Sequence, residues 1–165
     1  MRESLFNAAD SAVMGKDEWL TPPEIIRALG PFDLDPCAPV IPPWPLAEKK
    51  FTCHDNGLTR EWNGFVWCNP PYSTASKWLG RLASHSGGGI ALVFARTETG
   101  SFHEHVWNKA DALYFLKGRL RFYNVNGKIG GSAPAPSVLI AYGGLAKTRL
   151  ANANLPAGKF ITLTQ

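Results

Sequence analysis

The tetrapeptide Asn69-Pro70-Pro71-Tyr72 holds the residues whose chemistry is easiest to interpret. The side-chain oxygen of Asn69 and the carbonyl that follows can both accept hydrogen bonds from one exocyclic amino group, and the prolines fix the backbone that aims them. Such acceptors draw the nitrogen lone pair out of conjugation with a ring and make it nucleophilic. Tyr72 offers a flat face for stacking. The tetrapeptide therefore predicts a site for an amino-bearing planar ring, with an ordinary turn at a strand end as the alternative.

Hydrophobic periodicity places this tetrapeptide directly after a strand. Residues 64–68 form an apolar run, and the two prolines forbid sheet pairing beyond Asn69. Apolar residues recur at helical spacing over 73–84, and a glycine break then precedes an apolar strand over 90–95. Ligands of α/β sheets bind at the carboxyl ends of strands, so residues that directly follow a strand are the candidates for a site.

The other predicted elements continue this alternation of strands and helices. A helix is expected over 22–29, capped by Thr21 and closed by Gly30. A second helix is expected over 101–110, and strands over 31–35, 112–116, 120–123 and 138–142. Loops are expected over 36–50, which holds five prolines, and over 124–136. The pattern predicts an α/β fold, with a mostly parallel sheet that carries helices on both faces.

Length and composition indicate one globular domain. The chain has 165 residues, of which 45% are hydrophobic and 18% charged, and this excludes disorder. We expect a flexible N-terminal arm over 1–16 and the domain over 17–165. No apolar run approaches the roughly 20 residues that cross a bilayer, and three cysteines fit a reducing cytoplasm. The net charge of +4 slightly favours a polyanionic partner.

Four motifs occur in an order that resembles S-adenosylmethionine-dependent amino methyltransferases acting on adenine. They are Thr21-Pro22-Pro23-Glu24, residues 33–38, residues 55–58 and Asn69-Pro70-Pro71-Tyr72. More closely, the chain resembles the phage-type DNA N-6-adenine methyltransferases (Dam-like). Five further blocks carry this resemblance: residues 17–19, 62–72, 95–99, 115–122 and 132–137.

The resemblance implies the Rossmann-like αβα sandwich of class I methyltransferases, reduced to a minimal single domain. It implies that Asn69, Pro70, Pro71 and Tyr72 are catalytic. It also implies that S-adenosylmethionine binds with Thr21 and Pro22 around its methionine end, with Asp33 and Asp35 near that end and with Asp55 facing its adenine. One departure weakens these cofactor contacts, because the loop after Asp35 lacks the usual run of glycines.

DNA is the partner that the resemblance implies, and the reacting adenine must leave the duplex to reach the site. Tyr72, or alternatively Trp78, would stack on the extruded base. Lys117, Arg119 and Arg121 alternate along a segment expected to be extended, which would put three cations on one face towards the phosphates. Arg96, directly after a strand, is a further candidate for positioning phosphate or substrate.

The alternatives to this hypothesis concern metal and membrane partners, other methyl acceptors and loss of catalytic activity. No cysteine or histidine spacing fits a compact zinc module, so we expect no metal, and no membrane partner is expected. The Asn-Pro-Pro-Tyr motif also occurs in methyltransferases that act on RNA or on a protein glutamine. A catalytically inactive nucleic-acid-binding relative is the remaining alternative. If the protein is phage-encoded, the expected location is the host cytoplasm, while the target sequence and oligomeric state are open.

The small size of the predicted domain gives a prediction about its selectivity for DNA sequence. A minimal catalytic domain leaves few side chains to contact base edges, so we expect a short or relaxed recognition sequence. Methylation mapping on a random-sequence DNA library measures this directly. A long fixed motif would contradict the prediction.

Overall fold

The computed structural model describes residues 19–164. The arm predicted over 1–16 lies outside the described residues, so its boundary with the domain stays a prediction. Four helices occur in the described part, and the third continues as a π-helical turn (His103–Trp107). They are α1 (Pro23–Leu29), α2 (Ala75–Ala83), α3 (Gly100–Phe102) and α4 (Gly144–Asn152). None of these described helices is long and apolar enough to span a membrane.

Nine strands, grouped in two sheets, occur between residues 19 and 164. They are β1 (Leu34–Asp35), β2 (Lys49–Lys50), β3 (Val66–Cys68), β4 (Gly89–Phe94), β5 (Ala112–Leu116), β6 (Arg121–Tyr123), β7 (Ile129–Ser132), β8 (Ser137–Tyr142) and β9 (Gly158–Thr162). Seven of them form one sheet in the order β2-β1-β3-β4-β8-β5-β9, and β6 pairs with β7 in a separate hairpin.

The large sheet is mixed, and most of its strands share one direction. Strands β2, β1, β3 and β4 are parallel, whereas β8 is antiparallel to both β4 and β5, and β9 is antiparallel to β5. The prediction of a mostly parallel α/β sheet is therefore confirmed. After β1 the chain forms β2 on one side and then crosses to form β3 on the other side. This reversal is a topological switch point, and ligands bind in the crevice that it opens at the carboxyl ends of the strands.

Two apolar clusters cover opposite faces of the sheet, because successive side chains of a strand point to opposite sides. One cluster joins β3, β4 and β8 to α1 and α4, and it contains Trp67, Leu92 and Leu139. The other joins the same strands to α2 and the π-helical turn, and it contains Val66, Val93 and Ile140. The result is three layers, with the sheet between helices on both faces as the sequence predicts.

Several boundaries differ from the sequence prediction. Thr21 does not cap α1, because Pro22 occupies that position without a side-chain hydrogen bond. The predicted loop over 36–50 ends in strand β2, and the predicted loop over 124–136 contains β7. Both strands are short and exposed, so they carry no hydrophobic alternation to mark them. Helix α4 and edge strand β9 complete the fold after residue 142 and had not been predicted.

The hairpin β6–β7 packs over the carboxyl end of the large sheet. Tyr123 pairs with Leu20 in an isolated antiparallel bridge, and its ring meets Trp44 edge-on at 5.1 Å. Leu20 lies at the start of the described chain, and Trp44 lies in the proline-rich loop after β1. The hairpin therefore joins three segments that surround the topological switch point.

The close contact between Gly57 and the chain directly after β1 gives a prediction about stability. A Cβ at residue 57 would overlap the carbonyl oxygen of Pro36, directly after β1. Gly57→Ala should therefore displace backbone and lower the free energy of unfolding by about 1–3 kcal/mol. Urea denaturation measures the loss. Gly100→Ala is the matched control, because a Cβ there has no neighbour within 4 Å. Equal stability of the two variants would contradict the prediction.

Candidate active site

Asn69 directly follows β3 at the topological switch point. Its side-chain nitrogen donates hydrogen bonds to the carbonyl of Trp19 at 2.6 Å and to the hydroxyl of Thr21 at 3.2 Å. Both bonds use the amide nitrogen, and this fixes the orientation of the half-buried carboxamide. Its oxygen, on the opposite branch of the group, is the atom left to accept a hydrogen bond from a ligand.

The two prolines turn the chain out of the sheet after Asn69. Pro70 is buried, and the carbonyl of Pro71 accepts a hydrogen bond from Thr74 at 3.2 Å. This bond starts a 3₁₀ turn (Tyr72–Thr74) that runs directly into α2. No described backbone N–H donates to the carbonyl of Pro70. The carbonyl of Pro70, next in sequence to Asn69, is therefore the candidate for a second acceptor.

Tyr72 stacks on Phe94, the last residue of β4. Their ring centroids are 4.0 Å apart and the planes differ by 21°. Tyr72 also lines a cavity of about 80 Å³ with Trp19, and the hairpin side of this cavity is formed by Phe122 and residues 131–134. The stack holds the tyrosine ring at the edge of this cavity.

A narrow cleft of about 40 Å³ lies at the switch point itself, and we call it the first cleft. It brings together residues from β1, β3, the segment before α1 and the proline-rich loop. Its lining residues are Trp19, Leu20, Thr21, Asp35, Cys37, Pro39, Leu46, Trp67, Asn69 and Pro71. Two of the predicted cofactor residues, Thr21 and Asp35, therefore meet the predicted catalytic amide in one cleft.

Asp35 ends β1 and is only 3% exposed. Burial raises the pKa of its carboxyl group to about 7, although a hydrogen bond from the Cys37 N–H and the positive charge of Lys50 partly oppose this effect. The backbone amide of Cys37 thus turns towards the carboxylate. This hydrogen bond organises the loop after β1, which has no run of glycines.

A second cleft of about 200 Å³ adjoins the first, and Cys37 and Pro71 line both. Its other lining residues are Pro36, Ala38, Thr52, Cys53, Asn56, Gly57 and Trp78. Trp78 is buried, its ring stacks on Trp62 at 6.3 Å, and its indole N–H donates to Thr74. These contacts identify Trp78 as a core residue, so its alternative assignment as the stacking partner of an extruded base is wrong.

The other two predicted cofactor carboxylates are outside both clefts. Asp55 accepts hydrogen bonds from the backbone and the hydroxyl of Thr52, and these bonds hold the pKa of its carboxyl below the usual range. Asp55 thereby orders the loop that lines the second cleft.

Asp33 precedes β1. Its carboxylate accepts a hydrogen bond from the backbone N–H of Phe65 at 2.6 Å, and it lines a different groove with Arg27. The structure does not bring Asp33 to Asn69. Pro22 is buried next to Thr21.

The three cations predicted along one extended segment do not lie on a single strand. Lys117 follows β5 in the large sheet and donates its backbone N–H to Ala157, whereas Arg121 belongs to the hairpin strand β6. Gly118, with a φ of +73°, bends the chain between them, a conformation that glycine adopts readily. Lys117, Arg119 and Arg121 are exposed, but they do not alternate along one strand. Arg96 is exposed and lies two residues after the end of β4, because the strand ends at Phe94, one residue earlier than predicted.

A comparison with protein-family models gives one match. The model for DNA N-6-adenine-methyltransferase (Dam) matches residues 9–151, which is most of the chain. The chain belongs to this family. It is an adenine-specific DNA methyltransferase, of an enzyme class that generally uses S-adenosylmethionine. Searches among curated proteins and among solved structures gave no match.

The family match confirms the resemblance to Dam-like methyltransferases and the adenine-specific activity that it implies. It gives no support to an RNA or protein acceptor, or to an inactive relative. In the region that the structure describes, no group of three or more histidine, cysteine or acidic residues is arranged to hold a metal ion.

Sequence reasoning missed several residues at this candidate site, among them three aromatic ones. Trp19 provides the carbonyl that orients Asn69, Phe94 supports Tyr72, and Trp67 lines the first cleft. Trp19 lies in the block before Thr21 that carries part of the family resemblance, so a signal for it was available. Phe94 and Trp67 belong to buried strands, and nothing in an apolar run distinguishes a residue that touches a site.

Asp35 gives this methyltransferase a testable pH dependence. Its ordinary pKa is 3.8, so between pH 4 and pH 7 the folded protein holds a proton that the unfolded chain releases. The free energy of unfolding should therefore fall by about 1.4 kcal/mol for each pH unit in that window and level off above it. The free energy of unfolding of Asp35→Asn should not show this fall with rising pH.

Chemical denaturation of wild type and Asp35→Asn at pH 4, 5.5, 7 and 8 measures the difference. The variant should gain stability relative to wild type as the pH rises to 7. Glu61→Gln, which removes the charge of an exposed carboxylate, is the control for general charge effects. Parallel curves for wild type and Asp35→Asn would refute the buried titration.

Proposed function

We propose that the two clefts bind S-adenosylmethionine and that Asn69 receives the amino group of a DNA adenine beside them. The observation that carries this proposal is the orientation of the Asn69 carboxamide. Its nitrogen is engaged by Trp19 and Thr21, so its oxygen is directed to another donor. We further propose that the three layers are the Rossmann-like sandwich of class I methyltransferases in a minimal single domain.

The polar groups of the first cleft fit the amino acid end of S-adenosylmethionine. Asp35 is a nearly buried carboxylate that can accept a hydrogen bond from an ammonium group, and a cation there would offset the cost of its ionisation. The hydroxyl of Thr21 accepts from Asn69 and can donate its own proton to a carboxylate. Pro22, buried beside Thr21, would close this end of the cleft.

The second cleft fits the nucleoside end. Its walls combine flat or small apolar groups from Pro71, Ala38 and Trp78 with polar groups of the loop that Asp55 orders. Apolar walls with a few placed polar groups are typical of small-molecule sites. In this arrangement Asp55 acts mainly by holding the loop, and Asp33 has no role at the cofactor. The bound S-adenosylmethionine would supply an electrophilic methyl group between the two ends.

The residues of the tetrapeptide then act on the acceptor. The side-chain oxygen of Asn69 and the carbonyl of Pro70 would accept the two amino hydrogens of adenine and make its nitrogen nucleophilic. Pro71 fixes the turn, and Tyr72, supported by Phe94, would stack on the extruded base. The main catalytic contribution is alignment of the amino nitrogen with the methyl group.

DNA would approach across the carboxyl edge of the sheet. Arg96 lies at this edge. Lys117 and Arg119 lie in the connection after β5 and Arg121 begins β6, so we propose that these three contact phosphates at distinct points. The cytoplasm is the compartment where such an enzyme meets DNA, and it would be that of the host cell if the protein is phage-encoded. Protection or regulation of a phage genome is compatible with this activity.

Asn69→Ala tests the proposed role of the carboxamide. Loss of one acceptor that acts on developing charge should lower kcat by about 10²–10³-fold. Nucleoside mass spectrometry of DNA methylated in vitro measures N6-methyladenine, and calorimetric titration with S-adenosylmethionine measures donor affinity. We expect methylation to collapse while the thermal unfolding temperature stays within a few degrees of wild type.

Asn63→Ala is the matched control, since Asn63 is an exposed asparagine that precedes β3 and lies outside the clefts. It should retain wild-type methylation. Substantial activity in Asn69→Ala, or equal losses in the two variants, would remove the basis of the proposed function.

A further inference from the structure

The indole N–H of Trp67 is a buried donor that has no acceptor among the described residues. Trp67 lies in the middle of β3 and is fully buried, and no described group accepts a hydrogen bond from its Nε1 atom. An indole N–H can only donate. Because an unpaired buried donor carries its whole desolvation cost, such groups are rare in folded proteins. The unpaired N–H therefore predicts an acceptor that a ligand supplies.

The position of Trp67 distinguishes it from the other buried polar groups. The buried indole of Trp62 donates to the carbonyl of Gly57 at 2.8 Å, so its requirement is met within the chain. Trp44 and Ser137 each carry a buried polar atom without a described partner, but neither lines the first or the second cleft. Trp67 lines the first cleft. Its unpaired donor thus belongs to the site proposed for the cofactor.

Strand register places this donor beside a buried acceptor. Leu34 of β1 pairs with Val66 of the parallel strand β3, and both belong to the apolar cluster on the α2 face. Because successive side chains point to opposite faces, the next residues, Asp35 and Trp67, share the α1 face on strands about 4.8 Å apart. Both are almost completely buried, and both line the first cleft. The cleft therefore presents a carboxylate and an indole N–H side by side.

The amino acid end of S-adenosylmethionine matches this pair, since its ammonium group donates and its carboxylate accepts. We propose that the indole N–H of Trp67 donates a hydrogen bond to that carboxylate, while Asp35 accepts one from the ammonium group. The inference rests on the proposed function and adds a binding residue to it. Thr21, which is 2% exposed in the same cleft, can donate its hydroxyl proton to the second carboxylate oxygen. A hydrogen bond to a charged acceptor is stronger than one between neutral groups.

Two ligands that differ only in this carboxylate test the inference. Decarboxylated S-adenosylmethionine keeps the nucleoside, the sulfonium methyl group and the ammonium group. Calorimetric titration at pH 8 gives the dissociation constant of each ligand for wild type and for Trp67→Phe. The substitution should weaken binding of S-adenosylmethionine about tenfold, as expected for loss of one hydrogen bond to a charged group. It should leave the affinity for the decarboxylated ligand within about twofold of wild type.

Trp107→Phe is the matched control. It removes the same N–H from an indole that donates to the carbonyl of Thr97 and lies outside both clefts. Both affinities should stay at their wild-type values. Asp35→Asn reports on the cleft itself, and it should weaken both ligands because each keeps the ammonium group.

Proton–nitrogen NMR of the wild type gives a second readout that needs no substitution in the core. One indole N–H resonance should move downfield when S-adenosylmethionine is added, and it should move much less with the decarboxylated ligand. Trp19 is the other described tryptophan that lines the first cleft, and it is 36% exposed, so Trp19→Phe leaves the core intact. The responding resonance should persist in Trp19→Phe, and this assigns it to Trp67.

Two results would overturn the inference. One is a folded Trp67→Phe variant that binds S-adenosylmethionine as wild type does, or that loses affinity for both ligands equally, as a purely structural role requires. The other is a wild-type spectrum in which no indole resonance distinguishes the two ligands, which would leave water as the partner of Trp67. Failure of the proposed function is distinguishable from both, since wild type would then bind neither ligand or Asp35→Asn would bind both as wild type does.

Discussion

The carboxamide of Asn69 joins two segments that are about fifty residues apart, through hydrogen bonds to the carbonyl of Trp19 and the hydroxyl of Thr21. This contact ties the chain before α1 to the end of β3 and closes the first cleft between them. It also determines which end of the amide group is available to a ligand. Because an amide can present either a donor or an acceptor, its orientation decides whether the site accepts an amino group at all. The catalytic proposal depends on that orientation.

The sheet topology explains why the other site residues surround this amide. The chain reverses its order between β1 and β3, so Asp35 and Cys37 end on one side of the crevice and Asn69 ends on the other. Glycine is not required to form the crevice, since the Cys37 N–H turns back to the Asp35 carboxylate. Burial of that carboxylate raises its pKa to about 7, and a cationic ligand would relieve this cost. The same buried group thus links stability, pH and the binding proposed for the methyl donor.

Two stacked aromatic residues join the turn after β3 to the end of β4. Phe94 holds Tyr72 by stacking, and both rings line a cavity of about 380 Å³ between α2, the end of β4 and α3. Of the three exposed cations that follow β5, Lys117 and Arg119 lie in the connection to the hairpin and Arg121 begins β6.

The sequence by itself determined the tetrapeptide, its position after a strand and the family, because short motifs and apolar periodicity are local properties. It also determined most of the buried elements, such as β3, β4, β5 and β8. Tertiary structure alone decided that Thr21 bonds to Asn69 instead of capping α1, that Asp33 faces another groove, and that Gly118 separates Lys117 from Arg121. Those outcomes depend on contacts between distant segments and on the direction that the chain takes after each strand ends. Neither is encoded in the spacing of residues along one segment.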